Sequence, residues 1–273
     1  MSSSTVVLTK SNGVAHVELA RPTKGNAMNS AFWKEFRELF HALALDSEVR
    51  CIVVSGQGKF FTVGLDITDA GILTLAADAP DAARRAYTIR RELMDLQETF
   101  TAMERCPQPV IACVHNACIG GGIDLMTAAD IRMCTQDAFF SIKEVDIALA
   151  ADVGTLQRIE RCVGSASLVR DWAYTARRFD AEEARASGLV SRVFPDKQAM
   201  LAGALEMAAQ IASKSPVAVA GTKHNLNYAR GRTLQDSLEY MATWNASMLQ
   251  TDDIAKAATA SFQKQKQPLF PKL

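Results

Sequence analysis

No apolar run in this 273-residue chain approaches the roughly 18 to 20 residues of a membrane-spanning helix. Neither sign of charge is in excess, since 30 Lys and Arg balance 30 Asp and Glu. Nucleic acid and bare membrane surfaces select basic faces, so this balance argues against either as the main partner. Cysteines are few: six, at 51, 106, 113, 118, 134 and 162, with no C-x-x-C pair. Several lie inside strand-like runs. They read as small buried hydrophobes of a reduced compartment, which argues against a disulfide framework or a zinc site. No complete G-x-x-x-x-G-K-[ST] or G-x-G-x-x-G phosphate-binding pattern occurs. The opening Met1-Ser-Ser-Ser-Thr-Val has neither a signal-peptide core nor an Arg-rich presequence. No internal repeat or low-complexity linker interrupts the chain.

Hydrophobic residues make up 48% of the sequence, enough for a sizeable core in one large domain or one domain with an appendage. The first two-thirds mix strand and helix signals. Strands are expected at Val6 to Leu8, Val14 to Leu19, Cys51 to Ser55, Val110 to His115, Ile131 to Thr135, Phe139 to Ile142 and Val190 to Phe194. Asn29 or Ser30 caps a helix carrying Phe32, Phe36, Leu39, Phe40 and Leu43 at helical spacing. An Ala- and Asp-rich stretch over 68–85 reads as a surface excursion. A long amphipathic helix follows from about Tyr87 to Glu104, broken by Pro107 and Pro109. Shorter helical runs are expected at 122–129, 155–162, 165–174 and 181–187. From Lys197 onward the chain reads almost wholly helical, with breaks near Ser215-Pro216, Gly231 and Thr251-Asp252. The predicted division is an α/β core over 1–195 and a helical C-terminal part over 196–273.

Three carboxylates stand in mostly apolar surroundings: Asp124 after Gly120-Gly-Gly-Ile, Glu144 within Ser141-Ile-Lys-Glu-Val, and Asp152 within Ala150-Ala-Asp-Val. Burial of a carboxyl group disfavours its ionised form and brings its pKa toward neutrality, where it can exchange protons. Each alone could instead cap a helix or pair with a buried arginine. Two glycine turns precede them, Val63-Gly64-Leu65 and Ile119-Gly-Gly-Gly122. Glycine lets backbone N–H groups approach a ligand closely, and two such groups converging on one oxygen make an oxyanion hole. His115, just before the second turn, reads as a packed strand-end histidine. Asp130 and Arg132 read as a structural ion pair, and Asp146 as a neighbouring or merely exposed acid.

Several motifs together resemble the crotonase (enoyl-CoA hydratase/isomerase) superfamily over nearly the whole chain. They are Arg21-Pro22 with Asn26-Ala-Met-Asn29, Phe61-Thr-Val-Gly-Leu-Asp-Ile67, Pro109 through Gly122, Ala129-Asp-Ile-Arg132, Ala181 through Val190, and the tail from Phe262 to Phe270. The resemblance implies a spiral of β-β-α turns with a C-terminal helical trimerisation region, assembled as a homotrimer or a dimer of trimers. It implies an acyl-CoA partner. The amides of Leu65 and Gly121 would bind the thioester oxygen, and Val63, Gly64, Leu65, Asp66 and Ile67 would run beside the CoA. Arg21 and Lys24 would contact its phosphates, and Lys264 and Lys266 are further candidates.

Hydratases of that superfamily carry Glu, Glu and Gly where this chain has Asp124, Glu144 and Asp152. The set found here is similar to that of the Δ3,5-Δ2,4-dienoyl-CoA isomerases, which act in oxidation of unsaturated fatty acids. That likeness implies Glu144 as base at C2, Asp152 as acid at C6, and Asp124 tuning both. It implies no metal and no cofactor, coenzyme A being part of the substrate. The rival readings are an enoyl-CoA hydratase or Δ3,Δ2-enoyl-CoA isomerase and, in another class, a non-catalytic RNA-binding or structural member. The final Pro271-Lys272-Leu273 resembles the S-K-L peroxisomal address with Pro in place of Ser. A peroxisome-type organelle is the expectation it supports, with mitochondrial or cytoplasmic placement otherwise.

Overall fold

A computed structural model describes residues 4–69, 79–264 and 268–273. Lys266 and residues 70–78 of the expected surface excursion lie outside these. Two sheets organise the described residues. One has six strands in the order β1-β2-β3-β4-β6-β9. They are β1 (Val6–Ser11), β2 (Val14–Leu19), β3 (Cys51–Gly56), β4 (Val110–Val114), β6 (Ile131–Thr135) and β9 (Arg192–Phe194). Only the β1–β2 pair, joined at Asn12-Gly13, is antiparallel. The other sheet joins β5 (Ala117–Ile119), β7 (Phe139–Ser141) and β8 (Phe179–Asp180).

The central strands β3 and β4 are buried throughout, as parallel strands covered on both faces must be. Alternation then sorts their side chains. Ile52, Val54, Val110, Ala112 and Val114 face the main core, with helix α1 (Ser30–Ala44) and helix α2 (Ala82–Arg105). Val53, Ile111 and Cys113 face helix α7 (Lys197–Ala212) through Met200, Ala204 and Ala208. Small residues on α7 let that helix lie close to the sheet.

Helix α1 follows its expected pattern. Asn29 caps it by accepting from Phe32 N–H, and Phe32, Phe36, Phe40 and Leu43 form one buried stripe. Helix α2 starts at Ala82, several residues before the expected Tyr87, because Asp81 caps it through Arg84 N–H. The expected helix over 155–162 divides into α4 (Thr155–Arg158) and a 3-10 turn (Ile159–Arg161). The late strand begins at Arg192 instead of Val190, since Val190 N–H is already bonded to Ala184 C=O. Strand β4 stops at Val114, and β7 at Ser141. Asp130 pairs not with Arg132 but with buried Lys223 of helix α8 (Pro216–Tyr228), at 2.8 Å. Arg132 instead donates to the carbonyls of Leu189 and Ala129.

Helices α5 (Ala166–Thr175) and α6 (Ala181–Ala186) close the smaller sheet, with Trp172 stacked on Phe179 at 3.8 Å. After α8 come α9 (Leu234–Met248) and α10 (Asp253–Phe262). No residue of α9 is buried, and Leu234, Leu238, Leu249, Ile254 and Phe262 are exposed. Among the described residues no helix is long and apolar enough to cross a membrane.

Candidate active site

Residues 61–63 run alongside β5, which fixes the site. Thr62 pairs with Cys118, taking the N–H of Ile119 on its carbonyl and donating its own N–H to Ala117. This pairing sets the Val63–Ile67 loop against the Ile119–Gly122 turn. Contact is close enough to demand glycine. Gly64 has φ of 87°, and a Cβ there would lie 2.6 Å from Ile119 O and 3.4 Å from Gly121 N. Asn26 pins the rear of the loop, donating from Nδ2 to the carbonyls of Gln57, Phe60 and Phe61.

Two amides are left over by this arrangement. Met28 N–H donates to Gly64 O and Asp66 N–H to Met28 O, which brackets Leu65. Gly121 is the first residue of helix α3 (Gly121–Ala128), whose early N–H groups have no intrahelical acceptor. Among the described residues neither Leu65 N–H nor Gly121 N–H has a protein partner. Both residues line one cavity of about 640 Å³.

The same cavity is lined by Asp124, Glu144 and Asp152, the three acids singled out in the sequence. Asp124 is 2% exposed, and its Oδ1 accepts from Thr155 N–H at 2.6 Å. Burial raises its pKa to about 6, against the pull of Thr155 and of the Arg158 charge. Glu144 begins a 3-10 turn (Glu144–Ile147), and its buried Oε2 has no partner. Burial first, then the neighbouring Asp124 charge, lifts its pKa to about 7. The group is therefore poised to take and return a proton near neutrality. A Cβ at Gly120 would stand 3.2 Å from Glu144 Oε1, so the glycine turn also makes room for this carboxylate. Asp152 is exposed as a residue, and partial burial of its carboxyl raises its pKa. Its backbone carbonyl accepts from Gln97 Nε2 of α2 at 2.8 Å.

The remaining expected contacts divide. Val63, Leu65, Asp66 and Ile67 line the cavity. Asp66, however, is bonded to Arg21 at 2.9 Å and to Thr68, which together hold its carboxyl below the usual range. Arg21 donates as well to Ala27 O. Both side chains thus brace the loop. Lys24 is exposed and, among the described residues, has no carboxylate partner. His115 is buried, donates to or accepts nothing in the cavity, and meets Gly58 O at 3.0 Å, as a packed strand-end histidine should.

Sequence reasoning did not single out the apolar wall. Ile89, Leu93 and Leu96 of α2 line the cavity with Trp33, Ile147 and Leu149. The i, i+4, i+7 spacing of the first three on an amphipathic helix was the signal. The Thr155 N–H anchor was also missed, and no side-chain pattern announces a backbone donor. Among the described residues no group of three or more His, Cys, Asp or Glu is arranged to hold a metal ion.

Residues 9–272 match the family model described as enoyl-CoA hydratase/isomerase. The chain belongs to the enoyl-CoA hydratase/isomerase family. Among its relatives in that family is the mitochondrial Delta(3,5)-Delta(2,4)-dienoyl-CoA isomerase of Rattus norvegicus, 55% identical over 92% of this chain and 77% of the relative. The Homo sapiens counterpart is 53% identical over 95% and 80%. A peroxisomal protein of that name from Arabidopsis thaliana is 44% identical over 96% and 94%. Among solved structures, a family member named as an enoyl-CoA hydratase from Bacillus anthracis superposes with a TM-score of 0.86 at 24% identity, over 98% of this chain and 99% of that one. That likeness establishes the crotonase-type α/β fold.

Proposed function

We propose that this protein converts 3,5-dienoyl-CoA to 2,4-dienoyl-CoA in the oxidation of unsaturated fatty acids. The observation that carries the reading is the convergence of two proton-exchanging acids, Glu144 and Asp152, on one apolar cavity that also presents two unpartnered amides. The relatives at 44% to 55% identity bearing that name support it.

The thioester oxygen sits between Leu65 N–H and Gly121 N–H. Glu144 takes a proton from C2. Electrons shift along the chain, and the resulting dienolate places negative charge on the thioester oxygen, where the two amides stabilise it by several kcal/mol. Asp152, protonated, delivers a proton to C6. One proton leaves and one arrives, and no electrons are gained or lost, so the step calls for no redox partner. C2 and C6 lie about 5 to 6 Å apart in an extended chain, more than one carboxylate readily spans. Asp124 holds negative charge beside Glu144 and keeps its proton affinity high. The apolar wall of α2 takes the acyl chain, and Lys24 at the loop mouth takes a CoA phosphate.

The division of labour follows the chain. Residues 1–195 carry the site, and 196–273 carry assembly into a trimer or a pair of trimers, consistent with the exposed apolar residues of α9 and α10. Relatives named as mitochondrial and as peroxisomal both exist.

An ultraviolet assay tests the activity. Purified protein offered 3,5-dienoyl-CoA is expected to generate the extended 2,4-dienoyl chromophore. Rapid loss of 2-enoyl-CoA absorbance without dienoyl conversion would replace the reading with a hydratase.

A further inference from the structure

A second cavity, of about 320 Å³, opens at the far ends of the two helices that hold Asp124. Thr127 of α3 and Arg158 of α4 line it, together with Arg132, Arg161 and Arg230. Four arginines thus line one small space. Their nearby counter-charges are few. Glu104 is shared by Arg158, at 3.0 Å, and Arg230. Asp130, also lining the cavity, is taken by Lys223. Among the described residues Arg132 and Arg161 have no carboxylate within ion-pair distance. Five cations therefore stand against two carboxylates, in a chain whose charges balance overall.

Like charges gathered in one concavity repel unless an anion joins them, and guanidinium groups bind phosphate oxygens in planar pairs. We propose that this arginine-lined cavity is a binding site for a small phosphate-class anion, separate from the acyl-CoA cavity. Arg161 supplies the free guanidinium at its rim. Arg132, its Nε and Nη1 tied to backbone carbonyls, is held in place to present its remaining N–H groups. Arg158 is fixed in turn by Glu104, Thr101 Oγ1 and Val153 O, and Arg230 by Glu104, so little ordering remains to be done on binding.

Calorimetric titration of the full-length protein with inorganic pyrophosphate, in saturating coenzyme A, tests this without reference to activity. The coenzyme blocks the acyl-CoA cavity as a second source of phosphate binding. Expected is one site per chain, weakened about tenfold by Arg161→Gln. Lys34→Gln, which removes another exposed positive charge, on α1, is expected to leave it unchanged. Absence of binding overturns the proposal. So does binding that Arg161→Gln leaves intact, or that both variants weaken alike as a general charge effect.

Discussion

Thr155 donates its backbone N–H to Asp124 Oδ1 at 2.6 Å, and this bond fixes the most buried of the three acids before any substrate arrives. Asp124 is then a fixed negative charge beside Glu144, and that charge is the second cause of the raised Glu144 pKa. Asp124→Asn keeps an acceptor for Thr155 and deletes the charge. Glu144 should then ionise at lower pH, and the acid limb of the kcat/KM profile should move downward in pH. A limb that stays in place would separate Asp124 from Glu144.

Stability carries the same signature with its own sign. Glu144 has an ordinary pKa of 4.5 and a folded value of about 7. Below 4.5 it is protonated in both states and costs nothing. As pH rises through this window the unfolded chain ionises first, so folding loses stability, by at most about 3 kcal/mol above pH 7. Glu144→Gln should therefore unfold at a higher temperature than the parent at pH 8, with the difference fading toward pH 4. Thermal unfolding followed by circular dichroism at both pH values checks this.

Gly64→Ala should damage the amide pair directly. Its φ of 87° is strained for alanine, and the added Cβ would meet Ile119 O at 2.6 Å. Loss of one properly placed donor is expected to lower kcat about 10²-fold to 10³-fold. Steady-state kinetics show whether kcat falls while the protein remains folded.

Gln97 positions Asp152 through its backbone, not its carboxylate. Gln97→Leu should loosen the 152 loop and lower kcat by about tenfold, with KM little changed. A change confined to KM would place Gln97 in substrate binding instead.

Much of this architecture was legible from local pattern. Asn29 with its aromatic stripe, the buried runs of β3 and β4, and the glycine turns each state their role within a few residues. The three acids stood out because carboxylates in apolar text are unusual. What stayed hidden depends on distant partners. Asp130 and Arg132 have the right charges to pair, yet Lys223 reaches Asp130 from α8. Strands β5 and β8 are three and two residues long, too short for an alternation signal, and exist because β7 lies between them. Arg21 and Asp66 also pair with each other at 2.9 Å, a contact that no local pattern announces.

The two-acid transfer is tested most directly by running Asp152→Asn on 3,5-dienoyl-CoA in deuterium oxide, with proton magnetic resonance of the thioester. With Glu144 intact, C2 should exchange its hydrogen for deuterium while little 2,4-dienoyl-CoA forms. Glu144→Gln should show neither exchange nor product. Full conversion by Asp152→Asn, with deuterium arriving at C6 as in the parent, would contradict the assignment of Asp152 as the second acid.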